Sequence, residues 1–261
     1  MSSLVTVETP TGVYVAPEGD LITRQLVEHG AHAGGELGLL AAVLRPGDVV
    51  LDVGAHIGTF AIPLARVVGV DGLVVCFEPV PASARLLDAN VELNGLGRVI
   101  TTRRRAVGAE EASYRVVEAD PDNTGARFLE PASRGMITAV GLDDWLAGNR
   151  WVERVDLLKI DTEGMEPDVL AGATATLADH SPMVYAEISA EQLERAGASV
   201  GDIEAMLTSA GYRFFRNAGD RHGPPTGFRV VEIESLVDDE LFDVLAVAER
   251  HLARVEPLVA A

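Results

Sequence analysis

The residues with the clearest chemical potential lie in Val155-Asp-Leu-Leu-Lys-Ile-Asp-Thr-Glu-Gly-Met-Glu166, where Lys159, Asp161 and Glu163 follow one another closely. If the segment runs as a strand into a turn, alternation puts Lys159 and Asp161 on the same face. A lysine in a parallel-sheet strand is costly to bury unless a carboxylate pairs with it. Lys159 is the only lysine among 21 basic residues, so the position calls for a slim ammonium rather than a planar guanidinium. Its available partners are Asp161, Glu163 and Glu187, the last in Val184-Tyr-Ala-Glu-Ile188. Two readings stand together: an ion pair pinning two strand ends, or a cluster that faces a reacting group and moves its proton. These carboxylates, with Asp143 or Asp144, could also offer oxygens to Mg²⁺. The spacing is not diagnostic, and no metal ligand is assigned.

A second constellation starts at Val49-Val-Leu-Asp-Val-Gly-Ala-His-Ile-Gly-Thr-Phe60, a strand entering a glycine turn and then a helix. Gly54 lets the backbone turn sharply and approach a ligand, and Gly58 permits close packing where helix N–H groups emerge. The next strand ends in Phe77-Glu78-Pro79, with Glu78 24 positions after Gly54. That is close to where an α/β nucleotide site places an acid on the ribose hydroxyls. Asp52, Asp161 and Glu36 would add further negative charge. Around a dinucleotide's pyrophosphate they would be repulsive by on the order of several kcal/mol. S-adenosylmethionine (SAM) carries a sulfonium and an ammonium instead, so an acid-lined pocket suits it.

Together, Val50 to Phe60, Phe77-Glu-Pro79, the Leu93-Asn94 pair, Arg105-Ala-Val-Gly108 and the Lys159 to Glu166 block resemble the FkbM-type methyltransferases over roughly Glu36 to Glu187. These are SAM-dependent enzymes of the class I Rossmann-like fold. The resemblance implies that Asp52, Gly54, Ala55, His56 and Gly58 line the methionine portion of SAM. Glu78 would take both ribose hydroxyls, and Ala106 and Val107 would flank the adenine. Glu36 would meet the SAM amino group, and Thr59, Pro79 and Asp161 would complete the pocket. Asn94 would shape its corner without touching the methyl. The implied reaction is O-methylation of a small specialised metabolite: a polyketide, a peptide or a glycoside. Asp161 and Glu163 rank first as general base, ahead of His56, and of Lys159 should its pKa be depressed. Alternatives are an N- or carboxyl-methyltransferase, a nicotinamide-dependent oxidoreductase, or a SAM-binding module without turnover. The Gly-x-x-x-Gly spacing and Asp52 speak against the oxidoreductase.

Elements must position these residues. Short apolar strands alternating with helical stretches imply a parallel sheet with helices on both faces. Strands are expected at Val49–Val53, Leu73–Glu78, Val99–Arg103, Val155–Asp161 and Met183–Ile188. Helices are expected at Thr59–Val68, Pro81–Leu93, Pro167–Ala178, Glu191–Arg195 and Asp202–Ala210. Residues 1–45 would form an N-terminal cap: a hairpin over Val5–Val15, a helix Leu21–His29 stopped by Gly30, a flexible His29–Gly35, and a helix Glu36–Leu44. Residues 46–261 would form the SAM-binding domain, with a hairpin insertion at 108–149. Its β-rich pieces, Ala112–Glu118 and Met136–Val140, flank the turn-rich Asp120–Gly125. Tyr212–Arg216 and Phe228–Glu232 would make a terminal antiparallel pair, and Asp238–Arg254 a closing amphipathic helix. With the resemblance, the expected fold is α/β, a doubly wound seven-stranded, mostly parallel sheet with an antiparallel terminal hairpin and an N-terminal cap.

His29 and His32 read as loop histidines, and Trp145 and Trp151 as packing residues. Composition narrows the partners. With 40 acidic against 21 basic residues the net charge is −19, which disfavours nucleic acid and anionic membranes. No run approaches the ~20 apolar residues of a spanning helix, and Met1–Pro10 lacks a leader's basic and apolar regions. The lone Cys76 sits in an apolar strand and excludes an intrachain disulfide, so a reducing cytoplasm is expected. The expected partner is a small-molecule hydroxyl acceptor, with a homodimer possible.

Overall fold

The computed structural model describes residues 3–120, 122–236 and 241–259. Pro121 of the expected turn, Asp238 to Glu240 of the expected closing helix, and the first two residues lie outside them. The chain opens with an antiparallel hairpin, β1 (Leu4–Thr9) and β2 (Gly12–Pro17), then α1 (Leu21–His29) and α2 (Gly34–Val43). Next come β3 (Val49–Val53), α3 (Ala61–Val68), β4 (Leu73–Phe77), α4 (Pro81–Leu93) and β5 (Ile100–Arg103). A smaller sheet follows from β6 (Ala106–Gly108), β7 (Ala112–Glu118), β8 (Arg127–Pro131) and β9 (Ile137–Gly141), with α5 (Leu142–Gly148) behind it. The chain then returns through β10 (Leu157–Ile160), α6 (Glu166–Ala171), α7 (Thr174–Asp179), β11 (Met183–Ile188), α8 (Ala190–Ala196) and α9 (Val200–Ser209). It ends with β12 (Arg213–Asn217), β13 (Val230–Ile233), β14 (Phe242–Val247) and the short α10 (Leu252–Val255).

The main sheet has eight strands, one more than expected, in the order β13-β12-β14-β11-β10-β3-β4-β5. β5, β4, β3, β10 and β11 run parallel, and β14 is antiparallel to both β11 and β12. Each face carries its own apolar cluster. Val50 and Leu64 belong to one, and Leu51, Val53 and Leu158 to the other. This two-sided burial explains the near-continuous apolar strands, since helices cover both faces of a parallel sheet. β12 and β13 form the expected antiparallel pair.

Three expectations are corrected. The closing helix is instead β14, whose six residues are all buried between β11 and β12. A strand buried on both faces has no alternation to distinguish it from a buried helix. The helix expected at Pro167–Ala178 breaks at Gly172, where a Cβ would come within 2.1 Å of the Gly108 carbonyl oxygen. In the insertion, Ala112–Glu118 pairs first with the unforeseen β8 and then, on its other edge, with β9.

The N-terminal hairpin docks through two asparagines one helical turn apart, Asn90 in α4 and Asn94 at its C-terminal cap. Asn90 accepts the Val15 amide at 2.7 Å, and its own amide reaches the Val15 carbonyl at 3.2 Å. Asn94 pairs with both backbone groups of Val13, at 3.1 and 2.7 Å. Two side-chain amides thus stand in for a neighbouring strand.

Apart from Glu36, α2 is apolar all round, the signature of a helix packed on every side. It begins at Gly34, inside the stretch expected to be flexible. Cβ atoms at Gly34, Gly35 and Gly38 would lie 2.3, 2.2 and 1.7 Å from the backbone oxygens of Gly223, Asp220 and Pro225. These glycines seat the 218–229 loop directly on the helix backbone. Gly38→Ala should therefore cost about 1–3 kcal/mol by forcing the loop off, measured by urea denaturation. A loss under about 0.5 kcal/mol would mean that the loop is not held there. No helix among the described residues is long and apolar enough to cross a membrane.

Candidate active site

The carboxyl ends of β3, β4 and β10 open on a cavity of about 270 Å³, near the lower end of small-molecule sites. Its floor is built from the glycine turn. Gly54 has φ +83° and a backbone so close to the end of β10 that a Cβ would lie 1.8 Å from the Asp161 carbonyl oxygen. The amides of Gly54 and Ala55 both donate to the Phe77 carbonyl, at 2.9 and 3.1 Å, bolting the turn to the end of β4. The turn's next amide, His56 N–H, donates to Glu78 Oε2 at 2.8 Å, and the Val80 amide donates to Oε1 at 2.8 Å. These three turn amides are therefore engaged within the protein, and the Glu78 carboxylate is what the turn presents to the cavity. Burial raises its pKa to about 7, opposed by the two amide hydrogen bonds.

The other wall comes from β10. In register, Lys159 sits beside Asp52 of β3 and Tyr185 of β11. Its Nζ lies 3.1 Å from Asp52 Oδ1, 3.3 Å from Asp161 Oδ2 and 5.1 Å from the centre of the Phe60 ring. Burial opposes the ammonium, yet the two carboxylates outweigh it and hold the Lys159 pKa above its ordinary value. Lys159 is thus a fixed cation, not a base. Burial alone would raise Asp161; Lys159 and Arg221 overcome it and hold the carboxyl below the usual range.

Glu163 and Glu187 do not pair with Lys159, contrary to expectation. Glu163 accepts a hydrogen bond from Gln192 of α8, and Glu187 pairs with Arg221 from the 218–229 loop. Arg221 also reaches Asp243 Oδ2 at 3.2 Å, and the other oxygen of Asp243, Oδ1, accepts the Tyr185 hydroxyl at 2.7 Å. Carboxylate oxygens of Asp161, Glu163 and Glu187 all lie within 4.8 Å of one another. Each already has a protein partner, so a divalent ion would have to compete with Lys159, Gln192 and Arg221. Asp143, considered with them for Mg²⁺, instead accepts the Ala175 and Thr176 amides at 2.7 and 2.8 Å, and neither it nor Asp144 lines the cavity.

Gly54, Ala55, His56, Thr59, Glu78, Pro79, Ala106, Val107, Lys159, Asp161 and Glu163 all line the one cavity. Three expected residues do not. Asp52 is fully buried beneath the floor as the partner of Lys159. Gly58 faces Leu87, where a Cβ would meet a methyl carbon at 2.9 Å. Glu36 is buried outside the wall, its Oε1 accepting from Asn217 Nδ2 at 2.9 Å. His56 directs Nε2 to the Thr124 hydroxyl at 3.1 Å, and burial lowers its pKa to about 4, so it is neutral at pH 7.

His32 is not a solvated loop histidine. It lines the cavity edge-on to Phe60, with ring centres 6.2 Å apart, and burial lowers its pKa to about 3. Leu21, Ile22 and Gln25 of α1 and Asn123 to Gly125 of the hairpin also line the cavity. Asp20 ties these two elements together. Its Oδ1 caps α1 through the Ile22 amide at 3.0 Å, and its Oδ2 accepts the Thr124 amide at 2.7 Å. The second of these bonds spans 104 residues, a distance over which local sequence pattern carries no signal. Arg221 and His222 carried no local signal at all.

Residues 52–214 match the family described as the methyltransferase FkbM domain. The 31-O-demethyl-FK506 methyltransferase FkbM of Streptomyces tacrolimicus is 30% identical over 202 residues, covering 65% of this chain and 74% of that protein. Methyltransferase 1 of Beauveria bassiana is 28% identical over 143 residues, covering 47% of this chain and only 57% of its own length. Among solved structures, a methyltransferase FkbM from Methylobacillus flagellatus aligns with a TM-score of 0.48 at 19% identity, over 78% of this chain and 44% of that one.

Proposed function

This chain belongs to the FkbM family of SAM-dependent methyltransferases, and from that premise we propose that it transfers a methyl group from SAM to a hydroxyl oxygen of a small specialised metabolite. The observation that carries the donor's place is the Glu78 carboxylate, held at the cavity with one backbone amide on each oxygen. A carboxylate offers about four acceptor positions, so two remain for adjacent ribose hydroxyls. The acid wall of Asp161, Glu163 and Glu187 supports a donor bearing sulfonium and ammonium over a dinucleotide's pyrophosphate. An oxygen acceptor is supported by the Streptomyces relative, whose name places its methyl transfer on 31-O-demethyl-FK506.

SAM supplies an electrophilic methyl carbon. The chain's own task is to hold the acceptor oxygen in line with the S–CH₃ bond at about 3 Å, worth roughly 7–11 kcal/mol as effective molarity. The α1 cap and the hairpin, joined through Asp20 and Thr124, would exclude water from that line.

Titration calorimetry with SAM, S-adenosylhomocysteine and NAD tests the donor; binding of NAD alone would overturn it. Isotope transfer from methyl-labelled SAM into a hydroxyl-bearing metabolite tests the reaction. Glu78→Ala should weaken SAM binding by about 1–3 kcal/mol, through the lost charged hydrogen bonds. SAM affinity equal to wild type would show that the ribose lies elsewhere.

A further inference from the structure

Resting on the donor reading above, we propose that Glu163 takes the proton from the acceptor hydroxyl, and that it becomes a base only when the donor's sulfonium stands beside the Asp161–Glu163–Glu187 cluster. The other candidates are committed elsewhere. Lys159 is held as a cation between Asp52 and Asp161, and Asp161 is correspondingly acidic. Glu187 is clamped by Arg221, and His56, with Nε2 on the Thr124 hydroxyl, is made a weak base by burial, which lowers its pKa to about 4.

Glu163 differs from all of these. It lines the cavity as they do, but where Asp161 and Glu187 are each paired with a cation, the side-chain hydrogen-bond partner of Glu163 is the uncharged amide of Gln192. Its backbone holds φ +59°, a conformation that costs a non-glycine residue energy and persists where the surroundings impose it. Those surroundings are α8: Arg195 donates to the Glu163 carbonyl oxygen at 2.8 Å, and a Cβ on Gly164 would lie 2.8 Å from the Gln192 carbonyl oxygen. Arg195 in turn stacks 3.8 Å from the ring centre of Phe128 in the hairpin. The insertion hairpin and the strained residue are thus mechanically linked.

The charges facing Glu163 are Asp161 and Glu166 from its own segment, Glu187 from β11, and Arg195 from α8. Burial and the three carboxylates push its pKa to about 8, against Arg195. Empty, Glu163 is therefore mostly protonated at pH 7.5. A sulfonium beside the cluster favours the ionised form, so the proton leaves to solvent before the acceptor is used. In transfer, the acceptor O–H proton passes to the Glu163 carboxylate as the O–CH₃ bond forms. The CH₃–S bond breaks with its electron pair remaining on sulfur, leaving a neutral thioether. Glu163 is then protonated again, its resting state.

The test needs no acceptor. SAM and S-adenosylhomocysteine are titrated at pH 7.5, in EDTA, in buffers of different ionisation enthalpy. SAM should release roughly half a proton per site and S-adenosylhomocysteine, with its uncharged sulfur, much less. Glu163→Gln should bind SAM yet lose at least half of the release, and Glu163→Asp should restore part of it. Equal release with the two ligands, or undiminished release in Glu163→Gln, overturns the proposal while leaving the donor reading intact. Binding of neither ligand overturns both.

Discussion

Lys159→Met should destabilise the protein by about 3–5 kcal/mol, the usual cost of removing one partner from a buried ion pair. Lys159 is 1% exposed, and its ammonium faces the fully buried Asp52 and the Asp161 carboxylate. Methionine keeps most of the volume but leaves Asp52 without a counter-charge. The loss is therefore electrostatic, and it should shrink when Asp52→Asn is added, because the orphaned charge is then gone. Arginine is no substitute: its planar fork is broader than the ammonium that fits between Asp52, Asp161 and the Phe60 ring. Denaturant unfolding of the two single variants and the double variant measures this. A loss below about 1 kcal/mol for Lys159→Met would show that the ammonium is not the counter-ion of Asp52.

The same triad marks how far the sequence was legible. A solitary lysine in a parallel strand announced a buried ion pair, and alternation correctly put Asp161 on its face. Asp52 was assigned instead to the ligand, because register between β3 and β10 depends on how two segments 107 residues apart align. Local pattern carries no such information. Glu78 was legible because a strand end, a glycine turn and the next strand end meet at one edge of a parallel sheet. Arg221 was not, since its position depends on the 218–229 loop resting on the bare backbone of Gly34, Gly35 and Gly38. β14 escaped for a different reason. Phe242-Asp-Val-Leu-Ala-Val247 is buried on both faces, and its flanking charges resembled the polar side of a helix.

Gly54→Ala should abolish measurable SAM binding, a loss of at least ~100-fold, or about 2.7 kcal/mol. Two penalties combine. A φ of +83° costs an alanine on the order of 1 kcal/mol, and its Cβ would sit 1.8 Å from the Asp161 carbonyl oxygen. That contact is with backbone, so no side-chain rotation relieves it. Either the end of β10 retreats, carrying Asp161 and Glu163 with it, or the turn lifts away from β4. The second route breaks the Gly54 and Ala55 bonds to Phe77 and shifts the His56 amide from Glu78. Both routes separate the Glu78 wall from the acidic wall, which the proposed placement of the donor requires it to touch together. The substitution discriminates between a glycine that merely turns the chain and one that sets the distance between two chemical groups. In the first case stability falls and affinity, measured on the folded fraction, survives. In the second, affinity is lost even where calorimetry finds the protein folded. SAM affinity within about threefold of wild type, a difference of ~0.7 kcal/mol, would place the glycine in the first class and remove the turn from the donor site.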